Sequence, residues 1–561
     1  MRMLNSILER KPQKITIDRL LITPDEENPQ LITNQEDIER ITIDHYQNVA
    51  SSNNPALFTS YDNLTPFWQH IYKEKYKSPE HQSILTTTIT LDELTTTIQS
   101  LPNNKAPGPT GITYEFWKHF SKPQYKLLLT FFNNILNTGF IPSAWKEALL
   151  YPIPKPEFWN YQLDKTRPII LLETLRKIFV KIITDRLNKF LSSTNALQPN
   201  NQAGIAGSST AEIILTIQTC IDIQITQNQK FYIMVQDLSK AYDRINLDLL
   251  ILAINVIIGN HLTNSFDLLN GVIQGEVISP ILWVLYYDPL FEAINQTTYG
   301  GINLQAIHLM NIYDHQNDTS THFLQKNCKL LGYLDDTTWL NSSISHLEEH
   351  LNIADEFYNF SNIKINKTKC HLLTNDQDCI NKGSVEINFG PIHINVNVIG
   401  KTDNLRILGA YFNAFNNHNK LYKKLLTTTN HLIHMIKKKK ITEDMIIYVI
   451  NKVILPRLEY MTQHIVVPSH INNRINIILR SAFKTISGLP KNFYTAAIHT
   501  PITPNIIDFH DLQIRAKMAN FYTASFNPIT SDCIKILLLL SQNKFWYPRS
   551  PINIIQTFRN H

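Results

Sequence analysis

Two apolar runs in the middle of the chain end in acids. In FYIMVQDLSKAYDRI (231–245) a β-branched and aromatic stretch leads straight into Asp237, and in LLGYLDDTTWL (330–340) a second leads into Asp335 and Asp336 before apolar residues resume. Both patterns predict buried strands that end in carboxylates, the second turning back as a hairpin. Around them the period lengthens. Leu175, Ile178 and Ile182 recur at helical spacing in LETLRKIFVKIITDRLNKF, predicting a core-packed helix with Lys177, Lys181 and Arg186 on its other faces. Ser279-Pro280 reads as the N-cap and first turn of a helix through Trp283, Leu285 and Tyr286. Ile344, Leu347, Leu351, Ala354 and Tyr358 form the stripe of another helix, with His346 and His350 to its side. HLIHMIKKKKITEDMIIYVINKVILPRLEYM (431–461) is helical in pattern, whereas the first 85 residues mix polar loop with short amphipathic pieces.

Acids at a strand end or tight turn cost desolvation energy unless a cation neutralises them. Magnesium prefers a few carboxylates together with substrate phosphates. Two such ions about 4 Å apart clamp the attacking and leaving oxygens of a phosphoryl transfer. Either motif alone also fits a plain hairpin turn or a capped surface helix. Their order among further blocks distinguishes the readings. Upstream lie KAPGPTGI (105–112), TRPIILLETLRKIFVKIITDRL (166–187) and NQAGIAG (201–207); between the acids lies GVIQGEVISPILWVLYYDPL (271–290); downstream follow IKINKTKC (363–370) and LRILGAYF (405–412).

In this order the blocks resemble the reverse transcriptase domain of non-LTR (LINE-like) retrotransposons, closely over about residues 100–415. The resemblance implies an α+β right-hand polymerase. An N-terminal extension or linker would occupy 1–85, fingers 86–225, a palm with an antiparallel sheet and the catalytic motifs 226–415, and a helical thumb and C-terminal region 416–561. The implied activity is RNA-directed DNA polymerisation, with a primer 3′-hydroxyl as nucleophile and two Mg²⁺ ions (or Mn²⁺) held by Asp237, Asp335 and Asp336. Lys369 would be the general acid toward pyrophosphate, although a solvated lysine fits that position equally. Arg167 would grip the triphosphate, with Lys155 a weaker candidate for the same pocket. Tyr242 would exclude a 2′-hydroxyl, the other reading being a core aromatic, and Lys240 and Asp243 would support it. Gln274 and Gly275 would let backbone approach the base pair, and Leu408-Gly409 would form the primer grip. Lys177 and Lys181 would meet template phosphates. Lys437, Lys438, Lys439 and Lys440, alongside Arg457, Arg474, Arg480 and Lys484, would line the thumb's duplex face. Implied partners are an RNA template, a DNA primer or target and deoxynucleoside triphosphates. The resemblance also implies an endonuclease supplied elsewhere and action in the nucleus.

Apart from Leu334, four positions depart from the family pattern: Thr110 stands where aspartate is usual, Ile273 replaces a polar or basic residue, Glu276 a small or acidic one and Val277 a proline. Glu276 would bring negative charge near a triphosphate unless paired. These departures leave a rival reading, a decayed or domesticated copy that binds nucleic acid without polymerising. Leu334, in place of a small residue, is tolerable if strand alternation turns it away from the acids.

Composition narrows the field further. A chain of 561 residues needs more than one core. With 52 basic and 47 acidic residues the net charge is only +5, so basic groups must act locally. Five scattered cysteines without a CxxC pair argue against a disulfide framework or zinc knuckle. No apolar stretch reaches membrane-spanning length. His346 to His350 also spells HxxEH, an inverted zinc-protease signature, but this segment falls where the family has a palm helix.

Overall fold

A computed structural model describes residues 17–22, 29–50, 58, 60–73, 85–155, 159–201, 203–205, 207–239, 241–258, 275–307, 323–439, 441–499 and 505–545. The α+β organisation expected from the motifs is the one observed. At its centre, strand Tyr232–Ser239 lies between Asp336–Asn341 and His371–Thr374. Leu330–Tyr333 extends the sheet on one side, Ile392–Val398 and Ser384–Phe389 on the other, and the short strand Lys364–Ile365 pairs the end of the central strand. The sheet is not wholly antiparallel as expected. His371–Thr374 runs parallel to Ile392–Val398, because helix Gln377–Lys382 and a hairpin bring the chain back in the same direction.

Alternation explains the long apolar run that marks the central strand. Tyr232 and Met234 pack under helices Ser279–Gln296 and Ile344–Phe360, while Phe231 and Ile233 face the opposite core, formed with helices Thr210–Thr226 and Ser531–Phe545. A sheet covered on both faces has no polar side to display. Gln236, on the first face, is buried but satisfied: it accepts from Trp339 Nε1 at 2.7 Å and donates to the Tyr358 hydroxyl at 3.2 Å. Asp237 therefore emerges on the other face, at the strand's end.

Helices Leu91–Ser100, Tyr114–Lys118 and Lys122–Thr138 form a separate core with Trp145, Ile178 and Ile182. Beside it, strands Leu149–Pro154 and Thr166–Leu171 make an antiparallel hairpin. A fourth core joins helices Asn419–Lys437, Glu443–Val449, Leu455–Met461 and Ser469–Ile486, and the hairpin Leu405–Ile407/Ala410–Phe412 precedes it. The last of the described helices, Ser531–Phe545, turns back onto the central sheet and brings Cys533 into one cluster with Cys220 and Cys328. All five cysteines are free and buried.

The N-terminal segment docks rather than merely linking. Leu21 N donates to Tyr161 O at 3.0 Å, and in helix Gln35–Ala50 the Tyr46 hydroxyl lies 2.5 Å from Thr166 Oγ1, next to Arg167. None of the described helices is long and apolar enough to cross a membrane.

Candidate active site

The register of the central strands brings two of the three aspartates face to face: Asp237 and Asp336 are partners across the antiparallel pair. Tyr333 pairs with Asp336 in the adjoining hairpin, so Leu334 and Asp335 form its two-residue turn. Sequence distance is no obstacle, because the chain leaves and re-enters the same sheet over the 98-residue separation of Asp237 and Asp335. Leu334 does not occupy an alternating strand position as expected. Its φ is 56°, in the left-handed region that such turns demand, and its carbonyl accepts from Trp283 Nε1 at 2.8 Å. The turn is thus pinned from the helix below.

Charge accumulates at this edge. Burial pushes the Asp336 carboxyl up to about 6, with Asp335 and Asp237 adding to the rise and Arg406 and Lys369 opposing it. Burial raises Asp335 as well, again helped by Asp237 and opposed by Arg167 and Lys369. Lys369 Nζ lies 3.1 Å from Asp237 Oδ2. Three carboxylates without a soft ligand suit a hard, oxygen-seeking cation, and the neighbouring Cys370 thiol, pushed up to about 11 by burial and by Asp237, stays protonated. Among the described residues no three ligand-type side chains already converge on one point.

The other expected residues fall into place unevenly. Arg167 is exposed on the fingers hairpin opposite Ile153, and its charge is felt at Asp335. Tyr242 is half-buried, its ring 5.7 Å from that of Trp283; burial and Asp335 push its hydroxyl up to about 12. Gly275 has φ 109°, and a Cβ there would lie 3.3 Å from Ile170 O, so this glycine brings the turn against the fingers hairpin. Leu408 and Gly409, with φ 48° and 86°, form the tight hairpin turn expected there, held by a 2.7 Å bond from the Tyr460 hydroxyl to Leu408 O. Lys437 and Lys438 are exposed and Lys439 half-buried at the end of the thumb helix. Lys240, Ile273, Gln274 and Lys440 lie outside the described residues.

The basic face expected on helix Thr174–Thr194 is largely engaged within the protein. Arg186 is buried, gripping both oxygens of Glu93 at 2.7 Å and bonding to Leu85 O and Thr87 O. Lys181 pairs with Asp185 one turn on. Lys177 is half-buried; burial lowers it, while Glu276 and Glu173 pull it back up. Lys155 bonds to Asp164 O at 2.9 Å and Lys484 to Lys491 O and Phe493 O. HxxEH is no metal site either. His350 is fully buried, within 3.2 Å of Thr297 Oγ1 and stacked on Tyr299, and burial lowers it to about 4.

Two departures from the family pattern find physical reasons. Glu276 is paired, its Oε2 2.9 Å from Arg176 Nη2. Thr110 donates through its amide and its hydroxyl, at 2.7 and 2.6 Å, to the two oxygens of buried Glu173. A carboxylate at position 110 would oppose Glu173 instead. Sequence reasoning missed Glu173, Arg176 and Arg406. Only Arg406 carried a signal, being two residues before the Leu408-Gly409 turn.

Residues 153–412 match the family model described as reverse transcriptase (RNA-dependent DNA polymerase). This segment is a reverse transcriptase domain. It contains every aspartate of the site together with Arg167, Tyr242, Lys369 and the Leu408-Gly409 turn. The chain is 23% identical over 354 residues to the RNA-directed DNA polymerase from mobile element jockey of Drosophila melanogaster, covering 58% of this chain and 36% of that protein. It is 26% identical over 235 residues to the probable RNA-directed DNA polymerase from transposon BS of the same organism, covering 38% and 26%. Both relatives come from mobile elements, in keeping with the resemblance that the motif order carries. The chain spans only about a third or less of the length of these relatives. Among solved structures, the telomerase of Candida albicans in complex with a fragment of telomeric RNA covers 78% of this chain and 68% of its own, at 14% identity and a TM-score of 0.34.

Proposed function

We propose that the chain is an RNA-directed DNA polymerase that adds deoxynucleotides to a primer 3′-hydroxyl on an RNA template. The observation that carries this reading is the pairing of Asp237 with Asp336 across the strands, with Asp335 in the adjoining turn. Asp237, Asp335 and Asp336 would hold two Mg²⁺ ions, which when bound would activate the primer oxygen and neutralise the developing phosphate charge. The protein's own part is positioning and charge stabilisation. Arg167 supplies a planar fork for phosphate oxygens. Tyr242, its ring 5.7 Å from that of Trp283, would pack under the sugar and exclude a 2′-hydroxyl. Lys369, its Nζ 3.1 Å from Asp237 Oδ2, would give a proton to the departing pyrophosphate. The Leu408-Gly409 turn sets backbone against the primer end. Primer extension on an RNA template with deoxynucleotides and magnesium tests the reading, beside an Asp335→Asn, Asp336→Asn double variant. Product from the unaltered chain alone supports it; absence of product from both, with template–primer still bound, favours a binding protein without polymerase activity.

A further inference from the structure

Glu276 is 6% exposed, and its carboxylate enters the fingers side of the fold from the turn before helix Ser279–Gln296. A charge so buried persists only when paired. Its partner, Arg176, is anchored in turn, donating through Nη1 to Trp145 O at 2.7 Å, and Trp145 belongs to the fingers core. Lys177, the next residue, feels the charge of both Glu276 and Glu173, and Glu173 accepts two bonds from Thr110. Two carboxylates and two cations thus join three segments distant in sequence: the 105–112 loop, the start of helix Thr174–Thr194 and the Gly275–Ile278 turn.

Position makes this cluster more than a stabilising pair. Gly275 lies against Ile170 O, three residues along the strand from Arg167. Immediately after the turn, Trp283 braces Tyr242 and bonds to Leu334 O beside Asp335. The turn is therefore the joint between the strand that carries Arg167 and the helix that supports both Tyr242 and the aspartate turn.

We infer that Glu276 is a positioning residue whose ion pair with Arg176 fixes this joint and thereby the place where the incoming nucleotide is held. The inference rests on the polymerase reading above. It makes the glutamate, at first sight hostile to a triphosphate, a part of the nucleotide site's framework: burial raises its carboxyl, and Arg176 and Lys177 oppose that rise.

The test combines steady-state primer extension with hydrogen exchange on the full chain. In Glu276→Gln the nucleotide KM is expected to rise about tenfold with kcat within about twofold, the signature of lost ground-state positioning. Exchange across 275–279 should quicken. Arg176→Glu should be worse, and the Glu276→Arg, Arg176→Glu exchange of charges should recover most of the KM. Glu276→Asp, which keeps the charge on a shorter stem, should fall between and serves if the glutamine variant folds poorly. A KM unchanged within about twofold in Glu276→Gln, or no recovery in the exchanged pair, would overturn the inference even where the melting midpoint drops. Unaltered chain that extends no primer would instead overturn the polymerase reading itself.

Discussion

Asp237 and Asp336 are register partners on neighbouring antiparallel strands, and the Lys369 ammonium sits 3.1 Å from only the first of them. Asp336 bears the consequence. Its carboxyl is held at about 6 against an ordinary 3.8, chiefly by burial and then by Asp335 and Asp237. A raised acid pKa means that the folded chain keeps a proton which the unfolded chain has already released. The associated stability is present below about pH 4 and is lost as pH rises through about 6, amounting to at most about 3 kcal/mol. Asp336→Asn should therefore raise the melting midpoint at pH 7 in the presence of chelator and flatten its change between pH 4 and 6. An asparagine variant that melts below the unaltered chain at pH 7 would contradict this.

The same crowding predicts a response to metal. Magnesium that binds only the folded site should raise the melting midpoint, by about 2.7 kcal/mol in stability at a hundredfold excess over its Kd. The Asp335→Asn, Asp336→Asn double variant should lose most of that rise. A thermal-shift titration giving the same increment in both proteins would place the metal effect elsewhere.

Thr110→Asp should destabilise the chain although it restores the residue usual in the family. Glu173 already accepts two short bonds from Thr110, and a carboxylate in place of the hydroxyl would set a like charge beside buried Glu173. Thr110→Ala leaves a buried carboxylate oxygen short of a donor, at a cost of about 1–3 kcal/mol. Urea midpoints should fall in the order unaltered, alanine, aspartate. An aspartate variant at least as stable as the parent would show that Glu173 tolerates the charge.

What could be read from the sequence follows from how local each signal is. The central strands announced themselves because a sheet buried on both faces leaves an unbroken apolar run, and the acids interrupt it where the strand meets solvent. The Leu408-Gly409 turn was legible from its own two residues. Long-range pairing was not. Arg186 reads as one more cation on a helix face, and nothing nearby reveals that Glu93 closes it. Glu276 reads as a liability because its partner, Arg176, lies 100 residues upstream. Leu334 departs from its sequence pattern for a different reason. Strand alternation ends at Tyr333, and Leu334 enters a turn that needs positive φ.

Trp283 should matter to catalysis without touching substrate. Its Nε1 donates to Leu334 O, and its ring braces Tyr242. Trp283→Phe keeps most of the packing but removes the donor from the aspartate turn, a loss of about 1 kcal/mol in stability. Primer extension should slow, and ribonucleotide incorporation should rise as Tyr242 loosens. Unchanged sugar discrimination together with unchanged rate would show that the turn holds its shape without this bond.

The thumb lysines pose a sharper choice, because their placement has an ordinary explanation. Lys437 and Lys438 sit at the C-terminal end of helix Asn419–Lys437, where cations stabilise the helix dipole by about 0.3–1 kcal/mol. If they also meet a duplex backbone, each phosphate contact adds about 0.9 to the slope of log K against log salt. Replacing Lys437, Lys438 and Lys439 with glutamine should then flatten the slope for template–primer binding by about 1–3, with little effect on unfolding. Lys484 provides the contrast. Its ammonium bonds to Lys491 O and Phe493 O, so Lys484→Gln should cost stability and leave the salt slope alone. If both variants lower stability and neither changes the slope, these lysines are helix caps and the duplex passes over another face of the thumb.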